Sequence, residues 1–334
     1  MKKALYSTLV FLFFLFSCSK DETFRTADIS GKDIDFHITR FDSIFWNIDT
    51  SDVCNEFIRL DSMYPEMAQI YIERVMLMGK LGNPMVQIEY NNFHNYPAVK
   101  TVFNTVQQEY CDINDIEQKL KPAILRMNVL LPQIATPDFY THISFFNQNV
   151  IVGTGFISLS LDNYMGEDYI YYDSIGIYSY LRQNMVRHKI PTDYMIALLT
   201  SEFPFNPSGN LLDDITYYGR VLYATRCLFP EEDENVILGY SHKQLEWAEE
   251  HEKDIWDKMV STHVIYTTNI IEKNKFTHDG PFTQPFGQES PSRLGAFIGY
   301  QIVKSYMRNN RNVTLVQLMQ MTNSQEILSK SKYR

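Results

Sequence analysis

The sequence predicts an α+β fold that is mostly helical and has a small, central, mainly antiparallel sheet. Two observations lead to this prediction. Apolar residues recur with a period near 3.6 through most of the chain, as amphipathic helices require. Between Thr141 and Asp162 the pattern changes to a segment rich in Ile, Val, Phe and Thr, with Gly153 and Gly155 near its centre, which is typical of a hairpin.

The elements follow in chain order. A first strand is predicted where Ile34, Phe36 and Ile38 alternate with polar residues, and the best strand of the hairpin is Phe156–Leu161. Helices are predicted over Asn55–Met78, over Val99–Tyr110, from Asn114 with a kink or restart at Pro122, from Thr192, over Asn210–Leu228, from Ser241, over Ser292–Met307 and over Thr314–Met321.

The N-terminus reads as a lipoprotein signal peptide covering residues 1–17. Lys2 and Lys3 form a short positive segment, and the apolar run from Leu5 to Phe16 has the length of a signal peptide, too short for a membrane span. A small residue, Ser17, then precedes Cys18. We expect Cys18 to carry the lipid, the alternative being an ordinary secretory signal that happens to contain a cysteine.

After the signal peptide we predict a flexible tether (18–32) and a single globular domain (33–334), within which a helical N-terminal half (33–135) can be separated from a C-terminal half (136–334). The chain has 30 basic and 40 acidic residues, a net charge of −10. An acidic protein is poorly suited to binding nucleic acid through phosphate contacts. The same charge predicts that acyl chains, and not attraction to anionic lipid, hold the protein on the membrane.

Several segments in the C-terminal half occur in an order and at distances that resemble the gliding motility lipoprotein GldB family of the Bacteroidota. They are 211–219 (LLDDITYYG), 238–241 (LGYS), 281–283 (PFT), 290–293 (SPSR), 298–303 (IGYQIV) and 331–333 (SKY). None of these segments is a catalytic motif. The resemblance implies a lipid-anchored envelope protein that takes part in gliding motility and the allied surface secretion machinery.

That family in turn looks like a relative of zincin-type zinc peptidases, in which a strand precedes a helix carrying H-E-x-x-H. The two His bind one Zn²⁺, and the Glu acts as general base. The matching stretch here is 201–205 (SEFPF), which keeps Glu202 but has Ser201 and Phe205 at the His positions. The resemblance therefore implies a degenerate zincin-like half (136–334) with vestigial active-site positions, and we expect neither a metal nor another cofactor.

The segment from Phe276 to Tyr300 is a second candidate site. Its prolines and glycines predict a long, stiffened loop, and such loops are often functional. We predict partner binding by Arg293 together with Pro281, Phe282 and Tyr300, because an arginine can hold a partner's carboxylate through two parallel hydrogen bonds. The alternative is a loop that covers the core, with Arg293 paired to Glu289.

Three functions remain open at this point. We expect a non-enzymatic, lipid-anchored accessory protein whose partners are other envelope lipoproteins or motility and secretion proteins. The second hypothesis is a hydrolase, either a metallopeptidase with atypical ligands or an enzyme using Glu202 and Asp214. The third is a glycan-binding surface lipoprotein, for which the 22 Tyr and 22 Phe would be suited.

The expected location is the outer membrane, because Ser19 and not Asp follows the lipidated cysteine. Ser19-Lys20-Asp21-Glu22 resembles the short tags that direct lipoproteins of the Bacteroidota to the cell surface. A tag of this length leaves two alternatives open, the cell surface and the periplasmic face of the outer membrane.

Overall fold

Four strands form one sheet in the computed structural model, which describes residues 25–206 and 208–334. The strands are β1 (Ile38–Thr39), β2 (Asp138–His142), β3 (Val150–Gly153) and β4 (Phe156–Ser160). The predicted signal peptide, the lipid site Cys18 and the start of the tether lie outside the described residues. Within those residues, no helix combines the length and apolar character that a membrane crossing requires.

The strand order is β1-β2-β4-β3, and the sheet is mixed. β3 and β4 form the predicted antiparallel hairpin, but β1 pairs with β2 and β2 pairs with β4 in parallel. The prediction of a mainly antiparallel sheet is therefore wrong. After β2 the chain passes to the edge position of β3 and turns back, so β4 enters between β3 and β2. The other parallel pair joins Ile38 to Phe139, about a hundred residues apart in the sequence, and so leaves no local sequence pattern.

The predicted α+β class with a mostly helical chain is confirmed. The helices are α1 (Phe41–Trp46), α2 (Val53–Met63), α3 (Pro65–Gln69), α4 (Met85–Asn95), α5 (Pro97–Glu109), α6 (Asn114–Leu130), α7 (Ile170–Ser174), α8 (Ser179–Arg182), α9 (Ile190–Glu202), α10 (Leu211–Leu228), α11 (Glu234–Leu238), α12 (His242–Glu250), α13 (Glu252–Ser261), α14 (Ile270–Thr277), α15 (Leu294–Asn309), α16 (Leu315–Gln320) and α17 (Ser324–Ser331). The single helix predicted over Asn55–Met78 is interrupted at Tyr64, because Pro65 forces the preceding residue out of the helical region.

The long helices α10 and α15 cross in direct backbone contact. A Cβ atom on Gly299 would lie 1.7 Å from the carbonyl oxygen of Ile215, and one on Gly219 would lie 2.2 Å from the carbonyl oxygen of Gly299. Only glycine fits at both positions of this crossing. Buried apolar side chains from Ile38 to Ile327 join one contiguous core that includes this contact.

The connection from β2 to β3 has two consecutive residues, Phe145 and Phe146, in the left-handed region, with φ of 56° and 66°. Each such residue costs about 1–3 kcal/mol. The buried carboxylate of Asp162 holds this turn, since it accepts hydrogen bonds from the backbone N–H groups of Ser144 at 3.2 Å and Phe146 at 2.6 Å. The Ser160 hydroxyl donates to the same carboxylate. Burial raises the pKa of Asp162, and these hydrogen bonds oppose the rise.

His142, at the end of β2, is fully buried between β4 and the same connection. Its Nδ1 lies 2.8 Å from the Ser158 hydroxyl oxygen, and its Nε2 lies 3.0 Å from the carbonyl oxygen of Gln148. Burial lowers the pKa of His142 to about 4, so the ring is neutral at physiological pH. A fully buried Ser–His pair without access to substrate is a structural hydrogen bond.

The helix crossing yields the first prediction. We expect Gly299→Ala to lower the free energy of unfolding by about 3 kcal/mol or more, because overpacking here must move the backbone of Ile215. Urea denaturation of the purified variant measures this. Gly280→Ala is the control, since its Cβ would be 3.5 Å from the nearest atom, and it should change stability little. Equal stabilities of the two variants would contradict the close crossing.

His142 yields the second prediction. In the unfolded chain its pKa is near 6.5, so between pH 6.5 and 4 the unfolded state binds a proton that the folded state does not. We expect this group to reduce the free energy of unfolding by on the order of 3 kcal/mol as the pH falls through that window. The variant His142→Gln should lose this dependence, whereas the exposed control His37→Gln should keep it. Identical pH profiles for both variants would refute the assignment.

Candidate functional site

A cleft of about 340 Å³ opens between the turn that follows β4, the start of α9 and the residue that precedes α15. Its volume lies at the lower end of the range for small-ligand sites. The lining residues are Asn149, Asn163, Tyr164, Tyr180, Leu181, Asn184, Met185, Lys189, Asp193, Ile196, Ile237, Leu238, Gly239, Asp279 and Arg293. Polar groups from six separate chain segments therefore converge on one cavity.

One wall of the cleft is an ion pair at the start of α9. Lys189 and Asp193 are four residues apart, on one face of the helix, with Lys189 Nζ 3.3 Å from Asp193 Oδ1. Lys189 is buried, and its Nζ also donates to the carbonyl oxygen of Val236 at 2.8 Å. The Tyr164 hydroxyl donates to Asp193 Oδ2 at 3.0 Å. Burial raises the pKa of Tyr164 well above its ordinary value, so the hydroxyl keeps its proton.

Beside Tyr164, the side chain of Asn163 is buried to more than nine-tenths and lines the cleft. Its amide nitrogen has no hydrogen-bond partner within residues 25–206 and 208–334. A buried donor left unsatisfied costs about 1–3 kcal/mol, so native proteins rarely keep one without a reason. The nitrogen itself has almost no accessible surface, so it would meet an acceptor oxygen in the cleft only after the Asn163 side chain turns toward the cavity.

Arg293 forms the opposite rim. It is the residue before the first turn of α15 and has φ of 57°, in the left-handed region. Its Nη1 lies 3.6 Å from Asp279 Oδ1, an ion-pair distance that is too long for a direct hydrogen bond. In the described part of the chain, no oxygen accepts a hydrogen bond from the Arg293 guanidinium, so its donors remain available to a ligand.

The loop that precedes Arg293 is fixed from within. Buried Thr283 donates twice to the carbonyl oxygen of Pro291, from its backbone N–H at 3.0 Å and from its hydroxyl at 2.7 Å. The same hydroxyl accepts the first N–H of α15, from Leu294. The Tyr240 hydroxyl donates to the carbonyl oxygen of Ser292 at 2.8 Å. These bonds hold the backbone at Arg293 in its strained conformation and set the position of the guanidinium.

The cleft holds the groups that recognition of an acceptor-rich ligand requires. Its two cations and two carboxylates balance, and the Asn163 amide and the Arg293 guanidinium find no hydrogen-bond acceptor in the described chain. Such an arrangement binds a carboxylate or another group rich in acceptor oxygens. Among the described residues, no three His, Cys, Asp or Glu side chains lie close enough together to hold a metal ion.

The predicted vestigial positions lie elsewhere. α9 ends at Glu202, so Ser201 and Phe205 do not share a helical face, and both Ser201 and Glu202 are exposed. Glu202 borders a separate, smaller cavity beside Arg220. Phe205 packs against Tyr217, with ring centroids 5.0 Å apart. The three positions therefore do not surround a common site, and the part of α9 that faces the cleft is its first half.

The four residues predicted to bind a partner do not lie together in the structure. Arg293 lines the cleft, and Pro281 and Phe282 are exposed or half-buried on the loop that leads to it. Tyr300, in contrast, is fully buried within α15 and offers no surface to a partner. The reason is that the first two turns of α15 are enclosed on all sides, since every residue from Leu294 to Tyr300 is buried.

Asp214, the carboxylate of the hydrolase hypothesis, is buried in an ion pair. Its Oδ2 lies 3.0 Å from the Nζ of Lys273, which is also buried and donates to the carbonyl oxygen of Gly209 at 2.8 Å. Burial raises the pKa of Asp214, and the Lys273 ammonium opposes the rise. Its neighbour Asp213 forms a capping box with Asn210 at the start of α10. Neither carboxylate lines the cleft.

Among the cleft residues only Arg293 was predicted from the sequence; those that were missed include Asn163, Lys189 and Asp193. For the ion pair the spacing of four residues was a signal only with the right helix start, because the helix was predicted from Thr192 whereas α9 begins at Ile190, directly after Lys189. For Asn163 no signal existed, since its burial depends on how the turn after β4 meets α8 and α9.

The comparison with known proteins gives one match. A family described as gliding motility protein GldB matches residues 22–334, nearly the whole chain after the predicted signal peptide. Neither a curated protein nor a solved structure matches. A match over this length includes every element of the fold and every residue of the cleft, and on this ground the chain belongs to the GldB gliding motility family.

Proposed function

We propose that this chain is a lipid-anchored, non-enzymatic component of the gliding motility and allied surface secretion machinery, and that its cleft binds a carboxylate-bearing segment of another envelope protein. Membership of the GldB family supports the link to motility. The observation that carries the binding proposal is the pair of cleft residues, Asn163 and Arg293, whose donors find no hydrogen-bond acceptor in the described chain. A partner's carboxylate would accept from the partly exposed Arg293 guanidinium, and from the Asn163 amide once that side chain turns toward the cavity.

The attachment proposal rests on the sequence before the described residues. Cys18 follows Ser17 directly after an apolar run, the pattern that lipoprotein acylation requires. Several acyl chains hold a protein on a bilayer far more firmly than one. We expect attachment in the outer membrane, on the periplasmic face or the cell surface.

A glycan is the second candidate ligand, and one observation favours it. Tyr178 and Tyr180 stack on each other at the mouth of the cleft, with ring centroids 5.4 Å apart and an interplanar angle of 11°. Tyr178 is 66% exposed. An exposed pair of aromatic rings beside several asparagine side chains offers a platform for a sugar ring together with hydrogen-bonding groups.

The third prediction separates a ligand-binding role of Asn163 from a structural role. Asn163→Leu removes a buried donor that has no acceptor, so we expect the free energy of unfolding to stay equal or rise by about 1 kcal/mol. At the same time, binding in the cleft should be lost. The measurement is photo-cross-linking in the native envelope from a reactive residue at position 180, with the adduct identified by mass spectrometry as peptide or glycan.

The control in the same experiment is Glu202→Gln, which lies outside the cleft and should leave both the adduct and gliding intact. Arg293→Asn should weaken the adduct without unfolding the protein, because asparagine tolerates the left-handed backbone at this position. If Glu202→Gln abolished gliding while the cleft variants behaved like the unaltered chain, the hydrolase hypothesis would replace this proposal.

The fourth prediction concerns attachment. We expect Cys18→Ala to shift the protein from the membrane fraction to the soluble fraction of the envelope, because the described residues contain no helix able to span the membrane. Metabolic labelling with a lipid analogue measures acylation, and fractionation of the same cells measures the loss of membrane association. Ser17→Ala is the matched control, since it keeps a small residue before the cysteine. Continued lipid labelling of the Cys18→Ala variant would disprove attachment at this residue.

A further inference from the structure

Charge is distributed unevenly along this acidic chain. The whole sequence carries 30 basic and 40 acidic residues, yet residues 301–334 contain six basic residues and one acidic residue, Glu326. At physiological ionic strength the Debye length is about 8 Å, so a surface responds to the charges near it and not to the net charge. The segment is basic in composition, although Lys304 pairs with Glu234 outside it at 3.2 Å.

The fold gathers these basic residues at one end. Arg308 and Arg311 lie at the C-terminal end of α15, and Lys330 and Lys332 lie at the C-terminal end of α17; all four are exposed. Two asparagines join the helix ends. Asn309 Nδ2 donates to the carbonyl oxygen of Ser331 at 2.7 Å, and Asn310 Nδ2 donates to that of Lys330 at 3.1 Å. We call the surface formed by Arg308, Arg311, Lys330 and Lys332 the cationic end.

Part of this charge has a local explanation. Cations stabilise helix C-termini, and Lys330 is paired with Glu326 at 2.6 Å. For Arg311 and Lys332, the described chain shows no acidic partner. A second and independent observation, the path of the N-terminal chain, gives this end a further role.

The N-terminal chain meets the fold at the cationic end. Arg25, the first described residue, donates from Nη2 to the carbonyl oxygens of Asn310 at 2.8 Å and Met307 at 3.3 Å. Arg25 and Lys330 both act electrostatically on the ring hydroxyl of Tyr306, so they lie on the same side of the molecule. Cys18 lies seven residues before Arg25, and such a segment spans at most about 25 Å. A lipid on Cys18 therefore holds the cationic end within that distance of the bilayer.

We propose that the cationic end lies against the membrane and binds the phosphate groups of anionic lipid headgroups. The inference rests on lipid attachment at Cys18, which belongs to the proposed function. It replaces the expectation, drawn from the net charge of −10, that attraction to anionic lipid plays no part. The lipid supplies the attachment, and the basic side chains orient the domain on the surface to which it is attached.

The test uses residues 18–334 with Cys18→Ser, which contain the whole described fold and carry no lipid. Binding to vesicles of phosphatidylcholine alone is compared with binding to vesicles that contain 30% phosphatidylglycerol, by sedimentation at low and at high salt. We expect binding to the anionic vesicles only, and we expect salt to weaken it. Inorganic phosphate at millimolar concentration should not displace the protein, which distinguishes a membrane surface from a site for free phosphate.

The matched variants make the test specific. Arg308→Glu with Arg311→Glu should reduce the partition coefficient onto anionic vesicles about tenfold or more. Arg74→Glu with Lys80→Glu changes the net charge equally at exposed positions in the N-terminal half and should have a smaller effect. Equal losses in the two variants, or equal binding to neutral and anionic vesicles, would overturn the proposal. Because no lipid is attached in this experiment, its failure is distinct from a failure of acylation at Cys18.

Discussion

The buried carboxylate of Asp162 is the interaction on which the cleft depends. It accepts hydrogen bonds from two backbone N–H groups of the β2–β3 connection. These bonds hold Phe145 and Phe146 in left-handed conformations that cost free energy. The backbone carbonyl oxygen of Asp162 accepts a hydrogen bond from the Tyr172 hydroxyl at 2.9 Å. The residue thus ties β4 to the connection on one side and to α7 on the other. Asn163 and Tyr164 follow it directly in the chain, so their positions in the cleft follow from this carboxylate.

The charged side chains that line the cleft balance, although the whole chain has an excess of ten acidic residues. Each carboxylate faces a cation, Asp193 with Lys189 and Asp279 with Arg293. The balance suits a ligand whose acceptor groups enter between fixed donors, because the site carries no excess negative charge that would repel it. Rigid support from the loop around Thr283 keeps the guanidinium in place before a ligand arrives, which lowers the entropic cost of binding.

Local patterns predicted the mostly helical class, the hairpin and Arg293 as a site residue. Periodicity, turn glycines and loop prolines all act over short stretches of chain, so the sequence alone displays them. The parallel pairings of β2 depended on a long-range connection and could not be predicted. The burial of Tyr300 could not be predicted, because the first two turns of α15 are enclosed on all sides by elements that are distant in the sequence. Glu202 was selected because it matches the glutamate of the H-E-x-x-H motif. In the structure α9 ends at Glu202, and only the first half of this helix faces the cleft.

The position of α15 has a mechanical consequence. The N-terminal chain docks through Arg25 at one end of this helix, and Arg293 lines the cleft at the other. Sixteen residues of helix separate the two ends by about 24 Å. If the lipid on Cys18 and a partner in the cleft pull in opposite directions, the load enters at Arg25 and passes along α15 as tension. The backbone contact with α10 at Gly219 and Gly299 resists slippage under that load, so the domain can act as a stiff link between the bilayer and the partner.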